Sequence, residues 1–89
     1  MEDISVDTIS QELCSYIKST IVDKGVAVEP RTNFNQIGID SLSLIELVLF
    51  VERKFNIALP EEDLLPENFK SAETLAKCAF RHLNKWLIQ

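Results

Sequence analysis

The sequence has no long hydrophobic run, and its beginning lacks a targeting pattern. No window approaches the ~18 consecutive apolar residues that a transmembrane helix needs, so we expect no membrane partner or span. Glu2 and Asp3 stand where a signal peptide would place basic residues ahead of an apolar stretch. Both absences predict a cytoplasmic protein.

Basic residues are scarce. The chain has 9 Lys and Arg against 14 Asp and Glu, which gives a formal net charge of −5. The phosphate backbone of a nucleic acid would repel such a surface, so we expect no nucleic-acid partner. An acidic surface instead suits basic partner proteins.

Residues for catalysis and metal binding are also few. Cys14 and Cys78 lack the spacing of a metal site, so we interpret them as free, buried thiols of a reducing compartment, and we expect no bound metal. His82 is the single histidine, and nothing in the sequence brings it next to a serine and an aspartate. We therefore predict that the protein is not an enzyme.

The hydrophobic pattern is helical almost throughout. With 89 residues, 46% of them hydrophobic, the chain should form one domain (1–89) with a core over about 5–87. We predict an all-α fold, a small four-helix bundle with three longer helices and one short third helix. The predicted bounds are Ser5 as cap to Lys24, Ser41 to about Phe55, Pro60 to Pro66, and a last helix capped by Ser71.

Two groups of apolar residues should fill the remaining core. In the short third helix, Leu64 and Leu65 are expected to face inward. The last helix carries an apolar stripe at helical spacing, made of Leu75, Ala76, Ala79, Phe80, Leu83, Trp86 and Leu87.

The loop before the second helix ends in Gly38-Ile39-Asp40-Ser41-Leu42, the segment around which the chain is organised. Asp40 is a preferred N-cap residue, and its side chain can accept a hydrogen bond from the first turn. Ser41 would then occupy the first helical position, where backbone N–H groups and the helix dipole favour a phosphate. Gly38 permits a tight turn and leaves room for a partner to approach. The segment predicts a primary hydroxyl at a helix start suited to a phosphodiester.

The second helix has two apolar strips. One should face the core and contains Leu44, Leu47, Val48, Val51 and Phe55. A small bundle rarely surrounds a helix completely, so the other strip should be partly exposed and bind partners. This partner strip contains Leu42, Ile45 and Leu49, with Glu46, Phe50 and Arg53 nearby.

The run from Phe34 to Leu42 resembles the attachment motif of acyl carrier proteins. The resemblance continues through Glu46-Leu47-Val48 and the segment Ile57-Ala58-Leu59-Pro60, and it covers the chain from about Ile9 to Trp86. It implies that a phosphopantetheinyl transferase moves phosphopantetheine from coenzyme A to Ser41, with Asp40 assisting the transferase and its metal ion. The terminal thiol of the arm would then hold an acyl group as a thioester.

The resemblance also implies partners and a surface that they read. Acyl-loading, condensing and other acyl-transfer enzymes of fatty-acid or polyketide-type synthesis would bind a monomeric carrier. The implied partner-binding residues are Leu42, Ile45, Glu46, Leu49, Phe50 and Glu52.

Four residues of the second helix depart from the family pattern. Ser43, Arg53 and Lys54 stand where acids are common, and Phe50 is bulky. These departures indicate partners different from those of a strongly acidic fatty-acid carrier, but they leave the attachment motif intact.

Two alternatives remain open at this point. A peptidyl or aminoacyl carrier shares the fold and the arm, but such carriers often have Gly-Gly before the acidic residue and the serine. Ile39 interrupts that pattern here and favours an acyl carrier. The other alternative is a helical interaction module that is never modified.

Overall fold

The computed structural model describes residues 4–23 and 25–88, and of residues 84–88 it describes only the helical backbone. The described part of the chain forms three α-helices and no strand: α1 (Val6–Tyr16), α2 (Ser41–Phe55) and α3 (Ala72–Ile88). Four short helical turns connect or extend them, a π-helical turn at Ile17–Ile21 and 3-10 turns at Phe34–Ile37, Glu61–Asp63 and Pro66–Phe69. None of the described helices combines the length and apolarity needed to cross a membrane.

The first helix begins at the predicted cap. Ser5 Oγ accepts a hydrogen bond from the N–H of Thr8, 3.2 Å away, which satisfies a donor of the first turn. The helical path ends at Ile21, since Val22 is extended. Lys24, where we had predicted the end, lies outside the described residues. Gly25 follows at φ 94°, a left-handed conformation that favours glycine.

The expected four-helix count is not confirmed. The segment predicted as a short third helix forms the 3-10 turn Glu61–Asp63, and Pro66 begins a second turn instead of ending the element. The expectation that Leu64 and Leu65 face inward is wrong, because these residues are 36% and 42% exposed. A turn of three or four residues has no continuous apolar face to bury, so a helical period does not apply there.

The core lies mainly between α1 and α3, and α2 packs against α1 more lightly. Ser71 caps α3 as predicted: its Oγ accepts from the N–H of Thr74, and Thr74 Oγ1 accepts from the N–H of Ser71. The side chains of Trp86 and Leu87 lie outside the described residues. Fully buried side chains from the helices include Ile9, Leu13, Ile17, Leu47, Val51, Leu75, Ala76 and Ala79.

The loop between α1 and α2 is fastened to the start of α3. The N–H of Phe34 donates to the carbonyl of Lys70 at 2.8 Å, and the N–H of Glu73 donates to the carbonyl of Pro30 at 2.8 Å. The Phe34 side chain is buried in the core. The chain that leads into α2 is thus held at two points to the segment around the start of α3, which helps to fix where α2 begins.

Candidate functional site

Ser41 is the first residue of α2, and it is exposed. Asp40 precedes it in an extended conformation and caps the helix, with Oδ1 2.9 Å from the backbone nitrogen of Ser43. The hydrogen bond from the Ser43 N–H lowers the pKa of the Asp40 carboxyl. The N–H groups of Ser41 and Leu42 have no carbonyl acceptor within the helix, because the first intrahelical hydrogen bond runs from the N–H of Leu44 to the carbonyl of Asp40. The predicted cap and helix start are confirmed.

Gly38 closes the 3-10 turn that precedes the site. Its φ of 76° lies in the left-handed region, and its N–H donates to the carbonyl of Phe34, as does the N–H of Ile39. This backbone conformation favours glycine. The space around Gly38 is open, because a Cβ there would meet no atom within 4 Å. Because Phe34 and Ile39 are both buried, the turn holds Ser41 at a fixed place on the surface.

An apolar groove of about 350 Å³ starts at Ser41. One wall is the side of α2 that follows Ser41, and the other comes from Leu64, just after the turn Glu61–Asp63, and Phe69 of the turn Pro66–Phe69. The exposed Leu64 belongs to this second wall, which the sequence did not indicate. The side chains that line the groove besides Ser41 are Leu44, Ile45, Val48, Leu49, Leu64 and Phe69.

The two strips of α2 separate as predicted. On the core strip Leu47 and Val51 are fully buried, and Leu44, Val48 and Phe55 are half-buried against the core. On the partner strip Leu42, Ile45 and Leu49 are 70%, 59% and 42% exposed. Glu46 is exposed beside them. The exposure of the strip agrees with a partner surface, and partner binding itself stays a prediction.

Phe50 has a structural contact that the sequence did not indicate. Its ring stacks on Tyr16 of α1, with centroids 4.3 Å apart and planes 20° apart. Phe50 is therefore half-buried, and with Tyr16 and Leu49 it lines an open groove of about 420 Å³ between the two helices. The partner-binding role predicted for Phe50 stays a prediction.

Glu52 also acts within the fold. Its Oε2 accepts a hydrogen bond from the N–H of Leu59 at 2.8 Å. This bond ties the segment after α2 back to the helix, and the carboxylate is partly buried. Glu46 thus remains the more accessible of the two acids predicted to meet partners.

His82 pairs with Asp63, its Nε2 lying against Oδ2 of the carboxylate. Asp63 lies in the 3-10 turn Glu61–Asp63, and His82 lies on α3. The described surroundings of Ser41 are the apolar groove and its own helix start, so the structure offers no support for a Ser–His–Asp triad.

Comparisons with known proteins identify the family. The family model "Phosphopantetheine attachment site" matches residues 7–79. Aminoacyl carrier protein 2 of Bradyrhizobium diazoefficiens is 27% identical over 77 residues, which is 84% of this chain and 86% of that protein. The acyl carrier protein of Prochlorococcus marinus is 35% identical over 60 residues, which is 66% of this chain and 75% of that protein.

A solved structure shows the same fold. The chain resembles one in the crystal structure of Bradyrhizobium japonicum glycine:[carrier protein] ligase complexed with glycylated carrier protein, with a TM-score of 0.66 and 26% sequence identity. The match covers 82% of this chain and 96% of that one. A complex of the same ligase with its cognate carrier protein and an analogue of glycyl adenylate gives a TM-score of 0.68 at 25% identity.

The fold and the family model define a small helical carrier domain. The chain belongs to the family of phosphopantetheine attachment domains, whose members carry a covalently attached phosphopantetheine arm. Carrier proteins of this family are not themselves catalytic. The predicted family and the predicted cofactor are confirmed.

The residues at the start of α2 fit such a group. Ser41 offers an exposed hydroxyl, and Gly38 leaves open space beside the helix end. A phosphodiester is an anion, and a helix N-terminus favours an anion through its unbonded N–H groups and its dipole. The groove from Ser41 gives the remainder of an arm an apolar surface to lie on.

Proposed function

We propose that Ser41 is the residue that carries phosphopantetheine. The observation that supports this most directly is an exposed hydroxyl at the first position of α2, directly after the Asp40 cap. In the transfer from coenzyme A, the Ser41 oxygen forms the new bond to phosphorus and loses its proton, and the adenosine nucleotide leaves. The N–H groups of Ser41 and Leu42 then stabilise the phosphodiester electrostatically.

The protein's own contribution is to position the arm and to be recognised. When bound, the arm supplies a terminal thiol that holds a cargo as a thioester. The cap fixes Ser41 at the helix start, Gly38 keeps access open, and the bundle holds both in place. A phosphopantetheinyl transferase would read α2 through Leu42, Ile45 and Leu49, with Asp40 beside its metal ion.

The cargo class that the comparisons support is an aminoacyl group. Two aminoacyl carrier proteins of Bradyrhizobium diazoefficiens are each 27% identical to this chain over 84% of its length. The similar solved chains come from complexes of a glycine:[carrier protein] ligase. We accordingly propose that a ligase of this kind loads an amino acid on the arm of this protein.

A specific observation favours a second cargo class, the acyl chain of fatty-acid or polyketide-type synthesis. The groove beside Ser41 is almost entirely apolar, and several residues of α2 line it. Each methylene group buried there would contribute about 0.8 kcal/mol. The similarity to an acyl carrier protein over 66% of the chain is in accord with this class.

Intact mass spectrometry of the protein isolated from its own cells distinguishes the two classes. A hydroxylamine-sensitive adduct that also reacts with an amine reagent is the result expected for an aminoacyl cargo. A hydroxylamine-sensitive adduct without an amine would establish the acyl class in its place. A protein isolated with no arm at all, and resistant to modification by a promiscuous transferase, would support the unmodified interaction module.

The groove is tested separately with arms of two lengths. A promiscuous transferase can install acetyl- and octanoyl-phosphopantetheine on the same preparation. If the groove takes an acyl chain, the octanoyl form should melt at a higher temperature than the acetyl form, because more apolar surface is buried. Equal melting temperatures would show that the chain stays outside. The monomeric state, the cytoplasmic location and the single domain over 1–89, with its core over about 5–87, stay predictions from the sequence.

A further inference from the structure

Three potential metal ligands of different types come together away from Ser41. Asp63 on the 3-10 turn, Cys78 on α3 and His82 one helical turn later each offer one ligand atom, and these atoms all lie within 4.8 Å of one another. Cys78 and His82 are four residues apart, so they lie on the same face of α3. The carboxylate approaches from the facing segment.

The backbone holds Asp63 in this position. Its N–H donates to the carbonyl of Pro60 at 2.9 Å, and its own carbonyl accepts from the Asn68 amide at 2.7 Å. Cys78 Sγ lies 3.9 Å from the same carbonyl. The approach of the carboxylate to α3 is therefore set by the fold and does not depend on the ion.

We propose that Asp63, Cys78 and His82 bind a Zn²⁺ ion that links the turn Glu61–Asp63 to α3. Thiolate sulfur, imidazole nitrogen and carboxylate oxygen are all common zinc ligands, whereas Mg²⁺ and Ca²⁺ take oxygen ligands. A thiolate and a carboxylate together carry two negative charges, which balance the charge of the ion. The arm proposed for Ser41 takes no part in this site, so the site goes beyond the carrier function.

The spacing needs only a small adjustment. In a tetrahedral zinc site these ligand atoms lie about 3.3–3.6 Å apart. The sulfur has to move closer by up to about 1 Å, and the Asp63 carboxylate and the His82 ring have to separate by a comparable distance to admit the ion. The separation of the imidazole and the carboxylate lies within the reach of side-chain rotation, because His82 and Asp63 remain 16% and 29% exposed. The same exposure leaves a side for a water molecule as the fourth ligand.

Cys78 has to lose its thiol proton when it binds the ion. Burial raises the pKa of the Cys78 thiol, and the Asp63 carboxylate raises it further. The ion displaces the thiol proton on binding, so one proton is released to solvent for each thiolate ligand formed. The positive charge of Arg81 acts in the opposite direction and lowers the pKa of the Cys78 thiol.

The position of the site would affect the groove. Leu64 follows Asp63 directly and lines the groove that starts at Ser41. An ion that fastens Asp63 to α3 would restrict the movement of Leu64. Zinc would thus stabilise one wall of the groove without contacting Ser41.

Co²⁺ is the probe for the test, since a Co²⁺–thiolate bond gives a charge-transfer absorption band in the near ultraviolet. The full chain is used without the phosphopantetheine arm, so that the thiol of the arm contributes no ligand. We expect the band to appear on addition of Co²⁺ and to disappear when Zn²⁺ displaces it. Zn²⁺ should also raise the melting temperature.

Cys14→Ser is the matched control, because Cys14 is also a buried helical thiol with a pKa raised by burial. It should keep the band, and Cys78→Ser should lose it. His82→Gln alters a partly exposed residue and should fold, and it should weaken Co²⁺ binding by roughly tenfold or more. No thiolate band in the wild type, a band that survives Cys78→Ser, or unchanged affinity in His82→Gln would each overturn the site.

Discussion

Glu52 accepts a hydrogen bond from the backbone N–H of Leu59, with 2.8 Å between the heavy atoms. The two residues stand seven positions apart, one on α2 and one on the segment that leaves it. Glu52, which the family resemblance implied as a partner-binding residue, thus stabilises the fold. This relationship separates Glu52 from Glu46, whose carboxylate is exposed on the same helix.

Glu52→Ala should lower the free energy of unfolding by about 1–3 kcal/mol, because it leaves the N–H of the buried Leu59 without its acceptor. Chemical denaturation at neutral pH measures the change. Glu46→Ala is the matched control and should stay within about 0.5 kcal/mol of the wild type. Equal stability of the two variants would mean that Glu52 is free to meet partners.

Leu47→Ala should be strongly destabilising, by about 2–5 kcal/mol, because Leu47 is fully buried on the core strip of α2. Phe55→Ala should also destabilise, but less than a fully buried residue of its size would, since Phe55 is only half-buried. Leu42→Ala on the opposite side is the control, because Leu42 is 70% exposed. If thermal melts showed that Leu42→Ala destabilises the protein as much as Leu47→Ala does, α2 would have to be rotated about its axis relative to this structure.

The Asp40 cap should make stability depend on pH in acid. The N–H of Ser43 lowers the pKa of Asp40 in the folded state, so the stabilisation is complete above the unfolded pKa of about 4. It is lost as the pH falls through the lower, folded pKa. Asp40→Asn keeps a cap that does not titrate. The melting temperature of the wild type should therefore fall relative to Asp40→Asn below about pH 4, and a constant difference from pH 7 down to that range would contradict the cap.

Local patterns predicted much of this structure. The Asp40 cap, the start of α2 at Ser41 and the two strips of α2 depend on residues three or four positions apart, and such patterns are visible in the sequence. The cap of α3 at Ser71 followed from the same kind of signal.

Contacts between distant residues were not predictable in this way. Leu64 lines the groove because two 3-10 turns replace the expected helix, and these turns have no apolar period. Asp63 meets His82 across 19 positions, and Tyr16 stacks on Phe50 from another helix. Each of these contacts depends on how the elements pack, which no local spacing encodes.

The partner strip should control recognition without controlling stability. Ile45→Ala and Leu49→Ala should lower kcat/KM of a phosphopantetheinyl transferase by about fivefold or more, which corresponds to ~1 kcal/mol of lost apolar contact. Melting temperatures should change little, because Ile45 is 59% exposed and Leu49 is 42% exposed. Transfer rates and melts are measured on the same preparations.

Ile4→Ala is the control for the strip, because Ile4 is 37% exposed but lies before α1. It should leave kcat/KM unchanged. In the same assay Glu46→Lys should act through association, so its effect should shrink as the salt concentration rises. Normal transfer by folded Ile45→Ala and Leu49→Ala would place the recognition surface elsewhere.

The central claim is that the Ser41 hydroxyl carries the arm, and intact mass spectrometry after incubation with coenzyme A and a promiscuous transferase tests it most directly. Ser43→Ala is the matched control, because it removes a hydroxyl two positions away but keeps the backbone N–H that Asp40 caps. We predict one phosphopantetheine on the wild type and on Ser43→Ala, and none on Ser41→Ala with an unchanged far-ultraviolet circular dichroism spectrum. An adduct on Ser41→Ala, or a folded wild type that takes up no arm, would contradict the account.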